Sequence, residues 1–231
     1  MTKQERYEEL VKKRKAHIFS DGLQNPSTIQ DGEFDGHSHI DAWSQWHGNI
    51  DARILVIGQD WGDVDYFKRN NGQLGDNNPT NKNLLKLFLE IGIDIGLPNQ
   101  PKPQPIFFTN AILGLKGKEG EKTLSGPVKS SWIKESTQHF TKELIDIIQP
   151  KFIITLGVKP LYALQLIYPE IPKEKLSVLI HKNPIQLKNG TQLFAFYHCG
   201  SLGLVNRKLD DQLEDWKNAK RSINPRHPLS I

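Results

Sequence analysis

Four short apolar runs constrain the fold of this chain most: Arg53–Ile57, Ile106–Asn110, Phe152–Leu156 and Leu193–Tyr197. Each is rich in β-branched or aromatic residues and is ended by Gly, Asn or His. Each is apolar almost throughout, without the alternation of a half-exposed strand. Strands of that kind are buried on both faces, as in a parallel sheet covered by helices. Helix-period stretches lie between them. Asn83–Ile91 sets Leu84, Leu87, Phe88 and Ile91 on one stripe before Gly92, and Trp132–Ile148 carries Phe140, Leu144, Ile147 and Ile148 before Pro150. A shorter helix is expected after Gly157 and a final one over Asn206–Arg221. Strands and helices in this alternation predict an α/β fold, a three-layer α/β/α sandwich with a central, mainly parallel four-stranded sheet.

A length of 231 residues suits one domain, here residues 51–221. Residues 1–50 precede it as a basic helix (Gln4–Lys15) and a Gly/Asp/Ser/His-rich stretch, an extension expected to wrap the sheet edge. A basic tail, 222–231, follows. Asp60–Asn81 and Asn99–Pro105 read as loops from their Gly, Asn, Asp and Pro content. With 37% hydrophobic and 24% charged residues the chain is not a disordered type. Its longest apolar runs are far below the ~20 residues of a membrane span. Met1–Lys15 lacks the apolar core of a secretory signal, so a cytoplasmic protein is expected, nucleoid-associated if bacterial. The single cysteine, Cys199, excludes an internal disulfide and any all-cysteine zinc or iron–sulfur site.

The net charge of +4 permits a polyanionic partner without requiring one. Its distribution is more informative. Lys116, Lys118, Lys122 and Lys129 crowd one loop, and Arg207 and Lys208 follow a Gly-rich turn. Such clusters are either phosphate contacts or solubilising charge.

Ligands of open α/β sheets bind at the carboxyl ends of the strands. Those ends read Gly58-Gln59-Asp60-Trp61-Gly62-Asp63, Thr109-Asn110-Ala111, Gly157, and His198-Cys199-Gly200-Ser201-Leu202-Gly203. Asp60, Asn110 and His198 are thus candidates for one pocket. Taken singly, each is better explained structurally: Asp60 as a turn residue or helix cap, Asn110 as a strand end and His198 as a structural histidine.

In this order the motifs resemble the uracil-DNA glycosylase superfamily. Gly58-Gln59-Asp60 is similar to its first motif, best known as Gly-Gln-Asp-Pro-Tyr-His. Phe107–Leu113 resembles the strand whose Asn reads the extruded base. Phe152–Gly157 is similar to the segment before the penultimate helix, and His198–Leu202 to the closing His-Pro-Ser-Pro-Leu-Ser. The likeness spans about Ile54 to Arg207. It implies a DNA glycosylase of base excision repair that needs no cofactor and no metal. The expected substrate is a deaminated base, uracil first, in single- or double-stranded DNA, and the expected state is a monomer.

The resemblance also implies roles. Asp60 would orient a water and stabilise an oxocarbenium-like sugar, while a neutral His198 would bond the base oxygen as it gains charge. Asn110 would pair with the edge of a flipped pyrimidine, and Gln59 would add a backbone donor. Leu202 would be the wedge, beside a displaced Ser201 hydroxyl. Arg207, Lys116 and Lys118 would hold phosphates. There are departures. Trp61-Gly62-Asp63 replaces Pro-Tyr-His, so Gly62 removes the aromatic barrier to a 5-methyl group. Tyr66 and Phe67 are the candidates for the stacking aromatic, or else pack under the loop. The lone cysteine excludes the branches that hold an iron–sulfur cluster.

Two rival readings remain. One is a nucleic-acid- or nucleotide-binding module of the same fold with altered or lost catalysis. The other is a metal-dependent amidohydrolase barrel, prompted by His37-Ser38-His39, although Ser27–Glu33 before it is no barrel strand. A Gly-x-Ser-x-Gly elbow is absent. Cys199 and His198 are adjacent, so on a strand they point to opposite faces.

Overall fold

The computed structural model describes residues 1–36, 38–117 and 127–224. Lys118, Lys122, His37 and residues 225–231 of the expected tail lie outside them. The central sheet has five strands: β1 (Ile54–Gly58), β2 (Ile106–Asn110), β3 (Phe152–Leu156), β4 (Ile185–Gln186) and β5 (Gln192–Phe196), in the spatial order β2-β1-β3-β5-β4. All neighbours are parallel except β4, which runs antiparallel to β5 through Ile185↔Leu193 and Gln186↔Gln192. The expectation of four strands is therefore corrected to a mixed, open five-stranded sheet. A two-residue strand after Pro184 carries no run long enough to announce itself.

The helices are α1 (Lys3–Ala16), α2 (Val64–Arg69), α3 (Pro79–Glu90), α4 (Ser130–Ser136), α5 (Lys142–Ile148), α6 (Val158–Ile167), α7 (Leu176–Leu179), α8 (Ser201–Asn206) and α9 (Leu209–Ile223). A π-helical turn, Thr137–Thr141, joins α4 to α5. Alternate strand residues feed two separate cores, which is why the runs look uninterrupted in sequence. Leu55, Ile57, Phe107, Ile153, Leu193 and Ala195 pack with α1, α4, α5, α6 and α7. Ile54, Val56, Phe108, Ile154, Phe194 and Phe196 pack with α3 and α9, where Trp216 stacks on Phe196 at 4.9 Å.

Three local expectations change. Asp60–Asn81 is not all loop, because Asp63 caps α2 by accepting the Tyr66 N–H at 2.8 Å. The expected last helix, Asn206–Arg221, is α9 and starts later, at Leu209, because Arg207 is extended; a short helix not expected there, α8, precedes it. The tail begins later than 222, because Ile223 is buried at the end of α9.

The amino-terminal segment lies along the open edge of β2. Phe108 donates its N–H to the His47 carbonyl at 2.7 Å, and Asn49 donates to the Ile106 carbonyl at 3.3 Å. Arg14 anchors the segment from α1. Its fully buried guanidinium binds both Asp35 oxygens, at 2.7 and 2.8 Å, and the His39 carbonyl at 3.1 Å. Among the described residues no helix is long and apolar enough to cross a membrane.

Candidate functional site

The parallel register levels the strand ends. Gly58 is abreast of Asn110, and Leu156 is abreast of Phe196. Asp60 and His198 therefore each stand two residues beyond the end of their strand. Between them β3 turns away through Gly157, whose φ of 102° suits glycine. The result is a cleft of about 230 Å³ that gathers Asp60, Asn110 and His198 with Gln59, Gly62, Tyr66 and Lys116.

Asp60 is held on both oxygens. Gln59 Nε2 donates to Oδ2 at 2.8 Å, and the Lys116 ammonium lies 3.3 Å from Oδ1. The backbone explains the lysine. Beyond the strands, Ala111 donates to the Gly58 carbonyl, Ile112 to Gln59 and Lys116 to Gly62, so Ala111–Lys116 runs alongside the Asp60 loop. The pair Leu23–Gln24 then covers Leu115–Lys116 from the other side. Lys116 is only 3% exposed as a result. The expectation that it grips DNA phosphates is corrected: it is a buried partner of the candidate catalytic carboxylate.

His198 accepts the Gly200 N–H on Nδ1 at 3.0 Å, so a neutral ring carries its proton on Nε2. Burial pushes the imidazole below its ordinary value, opposed by the nearby Asp60 carboxylate. The neutral form is the one that persists at physiological pH. The loop that follows has to be glycine-rich. A Cβ on Gly200 would stand 2.6 Å from Thr80 Oγ1, and one on Gly203 would stand 1.9 Å from the His198 carbonyl. Gln212 Nε2 on α9 donates to that carbonyl at 3.3 Å, and Asn83 Nδ2 on α3 donates to the Cys199 carbonyl at 2.8 Å. The two helices of one layer thereby hold the imidazole loop.

Of the aromatic candidates, Tyr66 lines the cleft with its hydroxyl bonded to Asn78 Nδ2 at 2.9 Å. Phe67 does not. It turns inward from α2, 1% exposed among Ile29, Val64 and Leu115, so the stacking expectation for it is corrected to packing. Ser201 and Leu202 open α8, where Leu202 is 71% exposed. They stand beside a second cleft, lined by Lys175 and Tyr197 together with Gln59 and His198 of the first. Arg207 is engaged in a two-pronged pair with Asp215, at 2.5 and 2.7 Å, and lies over the Tyr197 ring at 5.9 Å. That pair occupies Nε and Nη2 of the guanidinium.

Several cleft residues escape sequence reasoning: Trp43, Leu74, Asn78, Thr80 and Asn81. Trp43 explains Gly58, since a Cβ there would stand 2.7 Å from the indole and 2.6 Å from Asn110 Oδ1. Behind the cleft lies Asp41, which holds Asn110. The signals present were Asn78-Pro79, an N-cap followed by Pro that opens α3, and Asp41-x-x-Ser44, a local turn motif. Neither indicates the cleft by itself.

Among the described residues no cluster of His, Cys, Asp and Glu is arranged to hold a metal, and the sheet is open. The amidohydrolase barrel is overturned by that open sheet. No family model matches the chain, and no curated protein matches it.

Proposed function

We propose that the cleft takes a single nucleobase turned out of DNA and hydrolyses its N-glycosidic bond, with a deaminated base, uracil first, as substrate. The observation that carries this reading is the convergence of Asp60, Asn110 and His198, from three parallel strand ends, on a space of about 230 Å³. That volume is below the range of about 300–1,000 Å³ usual for larger ligands and suits one ring. The chain would stand as a branch of the uracil-DNA glycosylase superfamily without an iron–sulfur cluster, built as a three-layer α/β/α sandwich and acting as a monomer.

Bond cleavage leaves positive charge on the sugar and negative charge on the departing base. The Asp60 carboxylate faces the first need by stabilising the oxocarbenium-like sugar and orienting the attacking water. His198 meets the second with its Nε2 proton, a hydrogen bond to the base oxygen that strengthens as charge develops. Asn110 reads the edge of the base. Leu202, apolar and exposed, would fill the vacated stack. No step calls for a metal or cofactor.

The test is base release from single- and double-stranded oligonucleotides carrying uracil, hypoxanthine, xanthine or mispaired thymine. Asp60→Asn and His198→Ala should each lower the rate at least about a hundredfold. Equal rates in both variants would sink the assignment. The Lys116 ammonium on Asp60 favours one alternative, a binding module with altered chemistry. Tight binding of the same oligonucleotides without release would establish that alternative.

A further inference from the structure

Asp41 lies behind Asn110, outside the cleft, and every hydrogen bond to its carboxylate is donated to it. Oδ2 accepts the Asn110 backbone N–H at 2.9 Å, Asn110 Nδ2 at 3.3 Å and Thr109 Oγ1 at 3.1 Å, and Oδ1 accepts the Ser44 N–H at 2.9 Å. Burial pushes the carboxyl up from its ordinary value, and the donors from Ser44, Thr109 and Asn110 pull it back, as does Arg14. Backbone N–H groups, which can only donate, occupy both Asp41 oxygens, and the Asn110 amide turns its NH2 toward Oδ2. The other end of that amide, Oδ1, then stands over Gly58, where an added Cβ would meet it at 2.6 Å. With Asp41 in place the two ends of the amide are not interchangeable.

We propose that Asp41 is a positioning residue that locks the Asn110 amide with its carbonyl oxygen toward the cleft, so that the site selects rings presenting an N–H donor at that point. The proposal rests on the reading of the cleft as a base site and says which edge that site takes. The ligand class is a lactam or imide edge, an N–H flanked by carbonyls, as in uracil. Cytosine presents a bare ring nitrogen there, and its lone pair would face the lone pairs of Oδ1. A site built around a fixed hydrogen-bonding group rejects the mismatched partner because the buried group is left unpaired. The same segment contributes Trp43, which closes the cleft against Gly58 and packs on Phe108 at 4.9 Å. The amino-terminal segment is thereby a part of the recognition site as well as a cover for the sheet edge.

The test follows the Asn110 side-chain amide by 15N NMR in the full chain during titration with free uracil and free cytosine. In the wild-type protein one Nδ2 proton should be shifted downfield and exchange at least about tenfold more slowly than its geminal partner. Uracil should shift this signal and bind at least about tenfold more tightly than cytosine. Asp41→Asn replaces the acceptor oxygen facing Asn110 Nδ2 with an amide that can present either end, and it should cancel both the proton asymmetry and the preference. A preference unchanged in Asp41→Asn, two equivalent protons in the wild type, or no shift at Asn110 with either base would each overturn the proposal. Should Asp41→Asn not fold, the wild-type spectrum and titration decide alone. If uracil preference at Asn110 stands while no oligonucleotide is cleaved, the proposed reaction fails and the role of Asp41 survives.

Discussion

Replacing Lys116 by Met removes the cation beside Asp60 while keeping most of the buried chain length. At 3.3 Å, the separation from Asp60 Oδ1, two unit charges attract by about 5 kcal/mol at an effective dielectric of about 20. The side chains are 3% and 7% exposed, so bulk water screens the pair poorly. Against that gross attraction stands the desolvation of both ions, and Gln59 still holds Oδ2 after the lysine is gone. The single substitution should therefore cost about 3 kcal/mol of folding stability, the lower end for a broken buried pair. The decisive assay is a double-mutant cycle by denaturant unfolding of the wild type, Lys116→Met, Asp60→Asn and the double variant. A coupling of about 2 kcal/mol is expected between the two positions, little changed by salt. Additivity within about 0.5 kcal/mol would refute the argument, and would make the lysine a neighbour of Asp60 with no energetic hold on it.

His47 is buried with Nε2 at 3.0 Å from the Ile95 carbonyl, and burial lowers its imidazole from 6.5 to about 4, against the opposing effect of that carbonyl. The folded state then binds fewer protons than the unfolded one between those values, so stability is full above about pH 6.5 and falls as pH drops toward 4, by about 3 kcal/mol in all. Comparing the wild type with His47→Gln by unfolding across that range isolates the contribution, and parallel curves would contradict it. Gly58→Ala would press a methyl against Asn110 Oδ1 and the Trp43 ring, at 2.6 and 2.7 Å. It should cost about 1–3 kcal/mol in thermal or chemical unfolding and loosen base binding beyond that loss of stability; wild-type stability and affinity would mean that neither group is fixed where it stands.

Much of the sheet was legible in the sequence because burial on both faces leaves a continuous apolar run, and that signal is local. Ile106–Asn110 and Phe152–Leu156 match the expected bounds, and the other two runs shift by a single residue. β4 was not legible, since two residues beside a proline have no pattern and gain their strand identity only from the Gln192–Leu193 backbone they pair with. α2 was hidden for a related reason. Its six residues between Gly-rich turns become a helix because Asp63 caps them and Phe67 finds a core to enter.

By itself the sequence determined the α/β alternation and the positions of Asp60, Asn110 and His198 at the ends of strands, because strand ends follow from periodicity and breakers a few residues apart. Only the tertiary structure decided what surrounds those three. Lys116 reached Asp60 by a loop running alongside it, Asp41 reached Asn110 across 69 residues of chain, Trp43 reached Gly58 from the same amino-terminal segment, and Arg207 was taken up by Asp215. The physical reason is that charge and amide orientation are set by whatever is packed within about 4 Å, and those neighbours are chosen by the fold over distances at which sequence carries no periodic trace.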